Sequence, residues 1–381
     1  MTERAQDPPR AHDPPQAEDP PLRVSTLELF FDLVFVFAIT QLTSLLAHDG
    51  VTPAGALRVV LVFCVLWWIY GGYAWLTNTR TPSRTPERVL LLLGMAGFLV
   101  IGMAIPSAFT RRSDGVALGL GYLLVVLVHG GLYVRLNPNI LRVVPVNVGA
   151  ALLVTVAGLV GGTAAYVLWA AALAVILLSP LVVQPQTRFS ISPAHFVERH
   201  GAVIIIVLGE SVADIGLGAA GHPLTGTVLL AGVLGLALAA VLWWTYFGVG
   251  DDEQAEAAFN RTAESGRAAL ALSAYFLAYI PLLIGVVTLA AGIKVAMQHP
   301  GLTLPWRPSL ALSGGVALFL AGEVLFRRAL GIKPLRYRIA AAGAAILTWI
   351  VGVSLSSAAE IALLTGVVAL MLVVEPDSVD P

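Results

Sequence analysis

The sequence predicts an all-α, polytopic membrane helix bundle of about twelve spans. Apolar residues make up 57% of the 381 residues and charged residues only 12%, whereas a soluble domain has about 25% charged residues. Apolar runs of about 20 residues, the length needed to cross a bilayer, follow one another along the chain. Lipid must therefore be the solvent for much of the surface, and the lipid bilayer is the first predicted partner.

Composition and spacing exclude several classes of site. The net charge of −1 gives no basic field, so no nucleic-acid partner is expected. Cys64 is the single cysteine, so an internal disulfide and a cysteine-based zinc site are excluded. His195 and His200 lie about 140° apart around a helix, which is not the i,i+4 face of a zinc site. We expect no cofactor and no metal.

Residues 1–24 differ from the rest of the chain. AQDPPR, AHDPPQ and AEDPPL are three copies of a six-residue unit, and their proline and acid content cannot build a core. We predict a disordered cytoplasmic tail. The apolar stretch begins only near Leu27, after an acidic segment, so no cleavable signal peptide is expected and the first span stays in the membrane.

Twelve candidate spans follow the tail. Gly352, Ser354, Ser356 and Ser357 form the only break between the last two. The predicted spans are 27–46, 55–77, 88–108, 115–136, 141–160, 163–183, 195–218, 224–249, 267–291, 309–329, 337–354 and 356–374.

The basic residues test this count. With the N-terminus inside, 17 lysines and arginines fall in inner segments and 5 in outer segments, which together are all 22. The outer five are Arg58, Arg111, Arg112, Lys294 and Arg307. This asymmetry follows the positive-inside rule and predicts an inner or plasma membrane protein with both termini in the cytoplasm.

The two halves of the chain resemble each other. VLWWIYGG (65–72) matches VLWWTYFG (241–248), the first and seventh spans align with a shift of 170, and HGGLYVR (129–135) aligns weakly with AGEVLFR (321–327). Matched spans are six apart, so both copies run in the same direction. We predict two parallel six-helix repeats, residues 25–185 and 186–375. The alternative is that the tryptophan pairs are interfacial anchors.

Ionisable residues in the first span need a physical reason, because inserting one into the membrane at the helix centre costs about 2.5–3.5 kcal/mol. Ser25 and Glu28 have capping-box spacing, so Glu28 either closes the helix or lines a polar path. Asp32 lies one turn further on the same face, beyond the reach of capping. It must pair with another group or line a wet cavity.

The seventh span carries a second set of ionisable residues. Ser192 followed by proline predicts the helix start, and Glu198 and Arg199 lie near the inner interface. Glu210 is about 18 Å further along the axis, near the middle of the bilayer, with the hydroxyl of Ser211 beside it. Glu210 either takes part in function or bonds to a neighbouring helix for packing alone.

Three further polar residues lie in spans. His129 is either a titrating group or a buried core histidine. Glu323 has Arg327 at i+4, which predicts a local ion pair at the inner end, and Asn147 is predicted to bond between helices. Most of the ionisable groups fall in the inner half, which indicates a polar path from the cytoplasm to near the midplane.

Two stretches, LELFFDLVFVFAITQL (27–42) and ERHGAVIIIVLGES (198–211), resemble motifs of the bacterial low-temperature-requirement protein A (LtrA) family. The resemblance covers nearly the whole chain after the tail. The family usually has a hydrophobic or aromatic residue at the position of His200, which makes His200 a weak candidate. The family name records a cold-growth phenotype and implies no established activity. The matching positions are Glu28, Leu29, Phe30, Phe31, Asp32, Phe35, Ala38, Glu198, Arg199, Gly201, Leu208, Gly209, Glu210 and Ser211.

A fainter likeness is to the endolysosomal potassium and proton channel family, whose first helix carries a Phe-Ser-Asp motif. Here Phe31 replaces the serine before Asp32, and Ala202 stands where Asp32 aligns in the second copy. These departures argue against a channel with that pore motif in both repeats.

The leading functional hypothesis is a secondary transporter or ion pathway for a proton, cation or small solute. Asp32 and Glu210 would bind the ion, and Glu198 and Arg199 would form an inner gate or orienting pair. One alternative is an intramembrane lipid-modifying enzyme with the same carboxylates as acid and base, although no nucleophile-plus-base pattern is present. The other is a structural or sensory membrane protein linked to low-temperature growth. The predicted pathway residues are Asp32, Glu210, Glu28, Glu198, Arg199, Ser211 and His129.

Overall fold

The computed structural model describes residues 24–79, 84–134, 140–182, 191–221 and 223–376, and these ranges contain helices and no strands. Twelve helices within them are long and apolar enough to cross a membrane, which confirms the predicted polytopic bundle. The predicted tail, apart from Val24, and the predicted boundary between the two halves lie outside the described residues. The spans are Thr26–His48, Pro53–Asn78, Thr85–Ser107, Arg112–Tyr133, Ile140–Val160, Gly162–Ser179, Pro193–Ala219, Gly226–Arg261, Glu264–Gln298, Trp306–Leu330, Arg336–Ser354 and Ser357–Val374.

Four of the described spans depart from a regular α-helix, and the third of the twelve ends in a 3-10 turn at Ile105–Ser107. The eighth breaks after Phe247, where Gly250 adopts a left-handed conformation, and resumes as the polar helix Asp251–Arg261. The ninth contains a π-helical segment, Leu272–Leu277, a local irregularity that often lies near functional sites. The eleventh consists of Arg336–Leu347 and Trp349–Ser354, and the break after Ser354 separates the last two spans as predicted.

The predicted starts of the first and seventh spans are confirmed. Ser25 and Glu28 form a capping box, in which the Glu28 carboxylate accepts from the Ser25 backbone N–H at 2.8 Å. Ser192 is the N-cap of the seventh span and Pro193 its first residue, a position where the missing N–H of proline removes no helical hydrogen bond.

Contacts between span ends show which ends meet. Asn78, at the end of the second span, bonds to Ser192 at the start of the seventh. At the opposite end, Lys294 near the end of the ninth span contacts Asp214 and Ser44, near the ends of the seventh and first. We call the end of the bundle where the first span starts the inner end and the opposite end the outer end. The inner end is the one predicted to face the cytoplasm.

The two halves share a set of neighbouring helices. In the first half the first span packs on the third and the second on the sixth, and the third to sixth pack in succession. The same pairs recur six spans later in the second half. This is the arrangement that a parallel repeat predicts, and the internal repeat itself stays a prediction.

Small residues allow the closest helix contacts. A side chain at Gly285 in the ninth span would place its Cβ 2.5 Å from the backbone nitrogen of Phe319 in the tenth, so these two backbones pack directly against each other, as is common between membrane helices. In the first half, the indole N–H of Trp68 donates to the side-chain oxygen of Asn147 at 3.2 Å. This bond confirms the predicted interhelical role of Asn147.

Candidate functional site

A buried ionic cluster joins the first, second and seventh spans at the inner end. Arg199 donates through Nη1 to Glu28 at 3.1 Å and through Nη2 to Asp32 at 3.1 Å, and the three side chains are at most 1% exposed. The Tyr70 hydroxyl donates to the same Asp32 oxygen at 2.9 Å, and Arg199 Nη1 also donates to the hydroxyl of Thr77. We call this set the Arg199 cluster. Its members are Glu28, Asp32, Tyr70, Thr77, His195 and Arg199.

Helical spacing brings these side chains together. Glu28 and Asp32 are one turn apart and therefore share a face of the first span. Tyr70 and Thr77 are two turns apart on one face of the second span. Arg199 follows six residues after the Pro193 that begins the seventh span, so its guanidinium lies at the depth of both carboxylates.

The protonation of His195 follows from its neighbour Asn78. The Asn78 amide is held by Ser192, donating to its carbonyl oxygen and accepting from its N–H, both at 2.9 Å. This arrangement turns the amide NH₂ toward His195 Nδ1, 3.2 Å away, so Nδ1 must accept. The ring hydrogen is then on Nε2, which lies 3.2 Å from Glu28 Oε1, and this tautomer is neutral.

The Arg199 cluster therefore contains two carboxylates and one permanent cation. With both carboxylates ionised, it carries one uncompensated negative charge in a site that is removed from solvent. Asp32 Oδ2 and Arg199 Nε have no hydrogen-bond partner within the described residues. Unpaired charge is expensive in such surroundings, so the cluster is chemically suited to take up one more positive charge.

Glu210 lies at a different depth in the seventh span and is not part of this cluster. It is half-buried, and it makes no hydrogen bond or ion pair with any residue that the structure describes. Ser211 is buried and donates to the Val207 carbonyl of its own helix at 3.5 Å. One turn beyond Glu210, the buried Asp214 lies 3.3 Å from Lys294.

Two other predicted residues also lie outside the cluster. Glu198 is exposed, and its carboxylate accepts from the Val24 backbone N–H at 3.3 Å. His129 is buried against the rings of Tyr73 and Tyr133 and, among the described residues, shares no hydrogen bond with the Arg199 cluster. The structure thus brings together Glu28, Asp32 and Arg199, and it places Glu198, Glu210, Ser211 and His129 elsewhere.

Sequence reasoning missed three members of the Arg199 cluster, Tyr70, Thr77 and His195, and also Asn78 beside it. Tyr70 lies in the VLWW stretch that is repeated in the second half, and His195 lies in the first turn of the seventh span. The sequence therefore marked both positions, although a search for charged residues in spans did not select them. Thr77 and Asn78 carried no such signal, because a polar residue at the end of a span is ordinary. Among the described residues, no group of three or more histidine, cysteine or acidic side chains could hold a metal ion.

The predicted ion pair between Glu323 and Arg327 is wrong. Glu323 instead accepts from Arg338 and from the Thr245 hydroxyl. Arg327 binds Asp251 through two parallel hydrogen bonds of 2.6 and 2.8 Å, a geometry that is stronger than a single i,i+4 contact. We call this set the second inner network. Its members are Thr245, Asp251, Glu323, Arg327, Arg338 and Glu375.

Comparison with known proteins identifies the family. The model of the bacterial low temperature requirement A protein (LtrA) matches residues 23–374, nearly the whole chain. The chain belongs to the LtrA family. All residues of the Arg199 cluster and of the outer Asp214–Lys294 pair lie within this LtrA region. The chain is also 28% identical over 318 residues, 79% of this chain and 76% of the relative, to the uncharacterized protein RA0937 of Rhizobium meliloti (strain 1021).

Proposed function

We propose that this LtrA-family protein is a secondary transporter or ion pathway for protons or small cations, with Asp32 as its inner binding carboxylate. The observation that carries the proposal is the charge imbalance of the Arg199 cluster: two buried carboxylates share one guanidinium. A proton or a monovalent cation at Asp32 Oδ2, the oxygen without a hydrogen-bond partner, would balance it. We further propose that the inner end faces the cytoplasm in the inner membrane.

Arg199 is suited to control access to this carboxylate. Its guanidinium contacts Glu28, Asp32 and Thr77 at once, so an arriving ion competes with a tethered positive charge. The ion would weaken the Arg199–Asp32 contact, while Glu28 still holds the guanidinium. Exposed Glu198, one residue before Arg199, would attract cations to the inner mouth.

Glu210 supports a pathway that continues outward. It is eleven residues beyond Arg199, about 16 Å along the helix axis and about 20° around it. Both residues therefore project from the same side of the seventh span. Because Glu210 has no partner within the described residues, we assign it as the next carboxylate along the pathway, with Ser211 beside it.

Flux through reconstituted vesicles tests the proposal. Vesicles that contain purified protein should dissipate an imposed proton, sodium or potassium gradient faster than empty vesicles do. Asp32→Asn should reduce that flux to the level of empty vesicles, because the amide cannot take up the charge. Glu253→Gln, an exposed carboxylate on the polar helix after the eighth span, is the matched control and should transport normally.

Two results would overturn the proposal. One is a wild-type flux indistinguishable from that of empty vesicles for all three ions. The other is an Asp32→Asn variant that transports as well as Glu253→Gln. The second result, combined with a loss of thermal stability in Asp32→Asn, would favour the structural alternative, in which the Arg199 cluster only fastens three spans together.

A further inference from the structure

The outer end of the bundle carries a cavity, lined by both apolar and polar residues, that the proposed inner site does not use. Its volume is about 590 Å³, and it opens between the ends of the first, third and ninth spans. Lys294 lies in its wall with 21% of its side chain exposed. The other polar lining residues are Ser44, His48, Ser107 and Gln298.

Behind Lys294 lies a fully buried carboxylate. Asp214 is 0% exposed, and its Oδ1 is 3.3 Å from the Lys294 ammonium. Neither Asp214 oxygen receives a hydrogen bond within the described part of the chain. Buried carboxylates in proteins normally accept several hydrogen bonds, so this one is left with free coordination positions.

Charge at this end is also unbalanced. Glu210 lies one turn from Asp214 on the same face, so two carboxylates lie near each other, and of the two only Asp214 contacts the Lys294 ammonium. Besides this ion pair, Lys294 donates a hydrogen bond to the Ser44 hydroxyl at 3.1 Å. The Lys294 ammonium therefore occupies the position that a small cation would take next to Asp214.

We propose that the Asp214 carboxylate is the outer binding site for small monovalent cations, and that the Lys294 ammonium fills this site until a cation entering through the outer cavity replaces it. Carboxylate and hydroxyl oxygens are the ligands that hard cations prefer, and Asp214 and Ser44 supply both types. This inference deepens the proposed function by naming the outer site and the class of ion, and it rests on that function only for the role of the site in transport.

The lysine content of the chain offers a direct test. Lys294 and Lys333 are the only two lysines, and Lys333 is exposed at the inner end, between the tenth and eleventh spans. An amine-acylating reagent reacts with free amines, so an ammonium held against a carboxylate reacts slowly. In protein reconstituted into nanodiscs, where both ends are accessible, mass spectrometry would give the Lys294 rate relative to the Lys333 rate.

The expected result is that sodium or potassium chloride raises the Lys294 rate several-fold above that in choline chloride at equal ionic strength, with the Lys333 rate unchanged. In Asp214→Asn the Lys294 rate should be high from the start and independent of the cation. A wild-type Lys294 rate that does not depend on the cation would overturn the proposal. So would a rate that small anions reduce and cations leave unchanged, which would indicate an anion site.

The wild-type series decides the question even if Asp214→Asn fails to fold. Ser44→Ala gives a second variant, because it removes the hydroxyl ligand and leaves Asp214 in place; its Lys294 rate should rise only at higher sodium or potassium concentrations than the wild-type rate does, and an unchanged concentration dependence would remove Ser44 from the site. Labelling requires no transport. A negative labelling result therefore removes the outer site alone, whereas a negative flux result removes the proposed function.

Discussion

The Arg199 cluster and the second inner network lie at the same end of the bundle but differ in how their polar atoms are used. In the second inner network, Arg327 engages Asp251 through two nitrogens and Glu375 through the third. In the Arg199 cluster, Arg199 leaves Nε without a hydrogen bond among the described residues, and Asp32 leaves one oxygen.

The two sets of contacts also join different parts of the chain. The second inner network joins the ends of the eighth, tenth and twelfth spans to the start of the eleventh, all within the second half. The Arg199 cluster joins the two halves, because Arg199 from the seventh span meets Glu28 and Asp32 from the first. The comparison indicates that an arginine with all three nitrogens engaged fastens one half internally, whereas an arginine with an unused nitrogen lies where the halves meet. Among the described residues, Glu375 leaves one oxygen without a hydrogen bond in the second inner network, as Asp32 does in the Arg199 cluster.

The largest expected effect is on stability, from Arg327→Gln. This change leaves the buried Asp251 and Glu375 carboxylates without their cation, and loss of one partner of a buried ion pair costs about 3–5 kcal/mol. The thermal unfolding midpoint of purified protein should fall accordingly. Arg328→Gln, one residue later and exposed, should change stability by less than about 0.5 kcal/mol. Equal midpoints for the two variants would show that the second inner network does not fasten the spans.

A smaller difference in stability is expected between two amide variants, Glu323→Gln in the second inner network and Asp32→Asn in the Arg199 cluster. Glu323→Gln replaces an acceptor by an NH₂ group facing Arg338 or Thr245, and should cost about 1.5–3 kcal/mol. Asp32→Asn keeps an acceptor for Tyr70 and Arg199 and removes the uncompensated charge, so it should change stability by about 1 kcal/mol at most. Unfolding midpoints of both variants, measured in parallel, check this order, and a reversed order would refute the claimed charge imbalance.

The smallest expected effect on stability comes from Glu210→Gln. Glu210 has no hydrogen bond or ion pair among the described residues, so the change in unfolding free energy should be below about 0.5 kcal/mol. Flux through reconstituted vesicles should nevertheless fall several-fold, since the outward carboxylate would be lost. Normal flux in this variant would remove Glu210 from the pathway and leave Asp32 unaffected.

Much of the fold could be predicted because its signals are local. The lengths of the apolar runs predicted the twelve spans, and the spacing of Ser25 and Glu28 predicted the capping box. The site was predictable only in part. Glu28, Asp32 and Arg199 were each identified from their cost in a membrane, but their pairing depends on the first, second and seventh spans being neighbours, which apolar runs do not specify.

The incorrect pairing of Glu323 has the same origin. Arg327 lies within reach of Glu323 at i+4, yet it forms two hydrogen bonds with Asp251, which lies beyond the break in the eighth span. Glu210 shows a different difficulty. Its depth followed from helical rise, whereas its position at the edge of the buried face of the seventh span depends on packing that the sequence pattern does not give.

The central claim is that Asp32 carries an exchangeable positive charge instead of only bracing three helices. The most direct measurement is the flux and the unfolding midpoint of Asp32→Asn, determined on one preparation beside the wild type. If Asp32 takes up the charge, the flux of this variant equals that of empty vesicles and its unfolding midpoint stays close to that of the wild type. Wild-type flux together with a lowered midpoint would contradict the claim.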